Sequence, residues 1–450
     1  MTARYWCESA WLGGDSAVDS VLVSVDSGRI TAVEAGIDRP ADAVALRGVV
    51  LPGLANAHSH AFHRALRGRT QTGTGSFWTW REQMYAAAAS LQPDLYGRLA
   101  RAVFAEMAMA GITCVGEFHY LHHDRDGRPY ADPNAMGAAL VAAAAEAGIR
   151  ITLLDTCYLH GGLSEAGEYL QVNEVQRRFT DGTADGWALR AADAASRAGA
   201  HCRLGAAVHS VRAVDPAGAA TVASFARAAG MVLHAHLSEQ PAENLQCAAA
   251  HGRTPTQVFA DAGALSPQFT AVHATHLSDA DIGLLGGTQC TCCFCPTTER
   301  DLADGIGPSR RLRDAGAALS LGSDSHAVID LLEEARAVEL DERLATNARG
   351  THDAPSLLRA ATADGHRSLG WDDAGAIAVG RRADLVAVRL DSVRTAGTSR
   401  AARLATVAFA ATAADIDTVV VDGRCVVVDG RHVSIDVAGE LQASIDAVMR

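Results

Sequence analysis

The chain has 450 residues, 48% of them apolar and 20% charged, which suits a well-buried globular protein larger than one simple domain. A net charge of −13 excludes the basic footprint that nucleic-acid phosphates require, and no apolar run approaches the roughly 20 residues that span a bilayer. The first residues lack an apolar segment with a small-residue cleavage site, and ten cysteines show no disulfide-like spacing, so a cytoplasmic, reduced protein is expected.

Residues 1–48 alternate apolar and polar side chains as short strands do, at 21–25 and again at 29–33. An apolar strand at 49–54 then runs into His58-Ser59-His60. Seven more apolar runs follow, at 113–118, 150–157, 203–208, 231–237, 270–276, 288–295 and 318–322. Runs that are apolar on both faces suit parallel strands covered by helices, and Ala-rich stretches such as 99–110 and 133–147 are long enough to cross over between them. Eight such units predict a (β/α)8 TIM-like barrel over 49–375, with its reactive groups at the C-terminal strand ends. Past about residue 376 alternation returns, at 383–388, 418–422 and 425–429, with a turn at Gly423-Arg424. The expected organisation is a small β-sandwich built from 1–48 and 376–435, the barrel between them, and a C-terminal helix over 436–450.

Polar residues punctuate the ends of the barrel strands. His58 and His60 close the first, Glu117-Phe118-His119-Tyr120 the second, and His209 with Arg212 the fourth. His234, His236 and Glu239 close the fifth, His273 and His276 the sixth, and Asp324 with His326 the eighth. One such histidine is ordinary packing; six strands ending in ligands or acid–base groups on one rim point to a metal site. The thiols Cys290, Cys292, Cys293 and Cys295 read instead as small apolar residues of a buried strand.

His-x-His, His, His and Asp on strands one, five, six and eight resemble the amidohydrolase superfamily. Many members bridge two metals with a carbamylated lysine, and this chain has no lysine, since all 39 basic residues are arginine. The resemblance therefore implies one divalent ion, zinc, held by His58, His60, His236 and Asp324, with His273 beside the bound water and Glu239 as the glutamate of the deaminase branch. Longer motifs resemble the formimidoylglutamate deiminase family: 56–62, 76–82, 117–123, 209–214, 236–240, 295–299 and 322–326. That family hydrolyses N-formimino-L-glutamate to N-formyl-L-glutamate and ammonia in histidine degradation, and the resemblance also implies a homodimer.

The residues suit that reaction. Metal hydroxide would attack the formimino carbon, oriented by Asp324 and His273, while Glu239 carries a proton to the departing nitrogen. A dicarboxylate amidine needs fixed cations, for which the planar fork of Arg212 is the first choice, with Tyr120, His209 and Arg81 as helpers. Arg81 equally suits a structural ion pair beside Glu82. The family pattern has Gln three residues after the second His of His-x-His; here His63 stands there and bears on substrate preference. Structural or supporting roles are expected for His122, His123, His276 and His326. Two rivals remain: a deaminase of a nucleobase or other heterocycle on the same barrel, and a metal-binding protein without catalysis.

Overall fold

A computed structural model describes residues 3–71 and 77–450 of the chain. Ser76 of the aromatic motif lies outside the described residues, as do the side chains of Phe77 and Trp78.

Eight parallel strands follow one another around a barrel in chain order. They are β1 (Leu54–Ser59), β2 (Ile112–His119), β3 (Arg150–Cys157), β4 (Cys202–Val208), β5 (Leu233–Leu237), β6 (Phe269–His273), β7 (Thr291–Phe294) and β8 (Ala318–Leu321). Every residue of β2 and β3 is buried, because side chains on one face fill the barrel and those on the other meet the helices. Just past β8 the backbone closes the ring onto β1: Asp324 N donates to His58 O at 3.0 Å, and His60 N to Asp324 O at 3.3 Å. The closing seam therefore runs through three of the expected ligands.

Crossover helices occupy the expected gaps, among them Pro93–Met109 and Ala135–Glu146. Local chemistry starts and stops them. Asp215 caps the helix Pro216–Ala229 by accepting from Gly218 N, and Gly230 ends it in the left-handed conformation.

Both chain ends join one continuous eight-stranded sheet, with Val44–Pro52 lying between Ala3–Ala10 and Leu385–Val388. Its apolar face closes on itself: Val21, Val23, Leu46, Leu385 and Val420 share a core separate from that of the barrel. One boundary differs from the sequence reading. The strand expected at 49–54 belongs to two elements, since residues through Pro52 pair within the terminal sheet and β1 begins at Leu54. Gly53 makes the crossing, because a Cβ there would stand 2.2 Å from Thr113 Oγ1. The last helix, Val437–Val448, reaches back to the barrel layer through Glu440 and Arg101. No helix among the described residues is long and apolar enough to cross a membrane.

Candidate active site

Strand periodicity brings His58 and His60 to one side, their rings 4.8 Å apart and nearly perpendicular. β5 delivers His236, whose Nε2 lies 3.2 Å from His58 Nε2. Asp324 supplies an oxygen 3.3 Å from His58 Nε2 and 3.4 Å from His60 Nε2. One donor atom from each of these four buried residues falls within 4.8 Å of all the others.

The orientation of the rings is set from behind. His60 Nδ1 meets Phe118 O at 3.0 Å and His236 Nδ1 meets His209 O at 2.9 Å. A carbonyl only accepts, so the ring proton sits on Nδ1 and Nε2 is left as a lone pair aimed inward. Burial pushes His58 down to about 3 and shifts His60 and His236 the same way, so these rings are neutral. Burial opposes ionisation of Asp324, yet its hydrogen bond to His58 and the neighbouring imidazoles keep it well below the usual carboxylate range. Converging lone pairs and a carboxylate in a buried space repel one another unless a cation sits among them. The donor set fits a single divalent ion with nitrogen and oxygen ligands.

The seam holding these ligands is itself bonded. Glu117 accepts from Ser59 Oγ at 2.6 Å and Ala61 N at 2.7 Å, while His326 spans Ser59 Oγ and Ser323 Oγ. Asn56 bonds Ser323 through both its amide oxygen and nitrogen. Ser238, His273, Ala274, Asp324 and His326 all carry positive φ, which concentrates backbone strain on this rim.

His273 stands beside the cluster, its Nε2 3.8 Å from Asp324 and 3.7 Å from Glu239, and its Nδ1 3.3 Å from Glu299 Oε1. Burial disfavours its charge, but Glu239, Glu299 and Asp324 together raise its proton affinity well above the ordinary. Cys295 and Glu299 form a second potential donor group with His273. There the Glu299 oxygen already accepts from Cys295 N, and burial keeps the Cys295 thiol protonated. All ten cysteines are unpaired and the four around β7 are buried, as their apolar setting implied.

A cavity of about 150 Å³ opens onto this cluster, with His60, His236, Glu239 and Asp324 on its wall. His63, Arg81, Tyr120, His209 and Arg212 line the same cavity, so every substrate contact expected from the sequence faces one space. His63 Nε2 bonds Tyr120 Oη at 3.1 Å. Arg81 donates to Tyr85 Oη at 2.6 Å and Gly161 O at 3.3 Å. Arg212 Nη2 donates to Glu239 Oε2 at 2.8 Å; burial opposes its charge, but Glu243 and Glu239 hold the guanidinium charged.

The structure adds groups that the sequence reading did not single out. Glu243, in the first turn of the helix Pro241–His251, accepts from Ser238 N and Glu239 N, fixing the loop that carries Glu239. Tyr158, also on the cavity wall, bonds the buried Gln176, which in turn reaches Tyr85 Oη and Gly161 O. A carboxylate four residues beyond Glu239, at a helix start, was the available sign of Glu243. Gln176 had none, since it arrives from a turn far along the chain. The other histidines at these strand ends have partners of their own: His122 meets Thr156 O, His123 meets Asp181 and His276 meets Asp304 O.

Comparison with known proteins agrees with this geometry. The profile of the amidohydrolase family matches residues 49–426. The chain is 38% identical over 417 residues to the formimidoylglutamate deiminase of Pseudomonas aeruginosa, covering 88% of this chain and 90% of that protein. It is 29% identical over 383 residues to the 5-methylthioadenosine/S-adenosylhomocysteine deaminase of Natronomonas pharaonis, covering 83% and 80%. Among solved structures, an amidohydrolase from Brucella melitensis superposes over the whole of both chains with a TM-score of 0.88 at 29% identity. The chain belongs to the amidohydrolase family.

Proposed function

We propose that this protein is a zinc-dependent iminohydrolase that converts N-formimino-L-glutamate to N-formyl-L-glutamate and ammonia. The observation that carries the reading is the shared cavity: His60, His236 and Asp324 of the four-donor cluster line it together with Glu239, Arg81 and Arg212. An amidinium needs a carboxylate beside it, and two substrate carboxylates need fixed cations. A relative of the chain bears the matching name. A heterocycle deaminase would find aromatic walls in Trp80, Tyr120 and Tyr158, but would have no carboxylates for the two guanidinium groups that line the cavity.

His58, His60, His236 and Asp324 would hold the ion, which supplies Lewis acidity at the reacting end of the cavity. The reaction adds water across the formimino carbon and expels ammonia. Glu239 pairs with the cationic amidine and carries a proton to the nitrogen that leaves. His273, braced by Glu299, faces Asp324 and Glu239 and steadies charge between them. Arg212 and Arg81 take the carboxylates, with Tyr120, His209 and His63 donating hydrogen bonds. Ten unpaired cysteines favour a reducing, cytosolic setting.

An ammonia-release assay on the zinc-loaded protein tests the reading, with metal analysis on the same sample. Turnover of N-formimino-L-glutamate and none of guanine, cytosine or methylthioadenosine is the expected result. The reverse pattern would overturn the assignment.

A further inference from the structure

Arg212 and Glu239 both line the cavity, yet each occupies the other through the 2.8 Å bond between Nη2 and Oε2. A second carboxylate, Glu243, stands 3.7 Å from Arg212 Nε. Its side chain is fully buried and its oxygens are tied to two backbone N–H groups, so it cannot follow the guanidinium. Two carboxylates thus face one guanidinium in a buried space. A molecule carrying an amidinium and a carboxylate matches that arrangement by exchange of partners. Its cation goes to Glu239, its carboxylate goes to Arg212, and Glu243 keeps the guanidinium compensated throughout. An amidine without a carboxylate offers half of the exchange and must break a buried ion pair with nothing to replace it.

We propose that Arg212 and Glu239 form a latch opened by the carboxylate end of the substrate, so that Glu239 meets the reacting nitrogen only when a carboxylate occupies Arg212. The inference rests on the amidine–carboxylate reading of the site and adds a condition to it. Selection then acts on the reaction rate as well as on binding, because the proton carrier is released by the part of the substrate that does not react.

Formamidine and glutarate are the two halves of N-formiminoglutamate, cut at the bond between nitrogen and Cα, and they make the test. With zinc-loaded enzyme, kcat for ammonia release from formamidine should rise about tenfold or more on adding glutarate. The stimulation should vanish in Arg212→Met. A change below about twofold, or equal stimulation in the variant, overturns the latch. A crystal structure of the zinc-loaded wild type with glutarate gives a readout independent of turnover. Arg212 Nη2 should lie beyond about 3.5 Å from Glu239 Oε2, with a glutarate oxygen on the guanidinium; an intact pair overturns the proposal. Failure of the whole N-formimino-L-glutamate to release ammonia would instead remove the functional reading, and the glutarate structure would still decide the latch.

Discussion

In the proposed reaction Glu239 carries the proton, and replacing it with Gln keeps its shape while removing its charge and its capacity to do so. The four donors that would hold the ion do not include it. Glu239→Gln is therefore expected to retain about one zinc per chain by elemental analysis and to lose roughly 10²–10⁴-fold in kcat. Near-normal ammonia release from that variant would take the acid–base role away from Glu239. At this scale the sequence was informative where a residue's task is set by its own strand. His58, His60, His236 and Asp324 converge because each ends a barrel strand, and strand ends share one rim. The Arg212–Glu239 bond was not legible, because two loops 27 residues apart in the chain must be folded before the partners meet. Arg81 shows the same limit: the sequence left it between an ion pair beside Glu82 and a substrate contact, and its bonds to Tyr85 Oη and Gly161 O were not foreseen.

Among the elements, the seam between β1 and β8 ties barrel closure to the site. Gly322 lies where the chain leaves β8 and has ordinary backbone angles, so its requirement is one of space. A Cβ there would stand 2.7 Å from His58 Cβ, 2.8 Å from Cys295 Sγ and 2.9 Å from His58 O. The β1 backbone cannot yield there without moving His58, one of the four proposed donors. Gly322→Ala should keep the barrel yet weaken zinc binding by about tenfold or more, read by competition with a chelator. Unchanged metal affinity would show that the seam tolerates displacement. The periodicity of the apolar runs made eight parallel strands visible, but it could not divide the segment 49–54 between two sheets. Both sheets bury their strands, so the apolar pattern continues across the join, and only the crowding around Gly53 marks it.

Over the whole molecule, the terminal sheet and the barrel share an apolar cluster that includes Val386, Ile416, Leu54 and Ile112, and a buried charged cluster sits at the same junction. Arg150 of β3 bonds both oxygens of Asp384, and the guanidinium groups of Arg150, Arg203 and Arg382 gather on Trp371 at 5.4, 4.5 and 4.8 Å. His366 lies buried beside this junction, where burial first and the charge of Arg150 second push it down to about 4. His122 and His234 are buried elsewhere in the barrel and are likewise pushed down to about 4, again chiefly by burial. Between the unperturbed value near pH 6.5 and pH 4 the unfolded chain binds protons that these folded sites refuse. Protonation then favours the unfolded state, so stability falls as pH drops through that window and is fully retained above it. Each site contributes on the order of 1–3 kcal/mol by pH 4. Because acid also strips a metal from its histidines, the informative comparison is between proteins sharing the same metal site. His366→Phe removes one titrating ring at the far junction and leaves the zinc ligands untouched. Its urea midpoint should decline less steeply than that of the wild type between pH 6.5 and 4.5; parallel declines would show that His366 does not couple folding to protons.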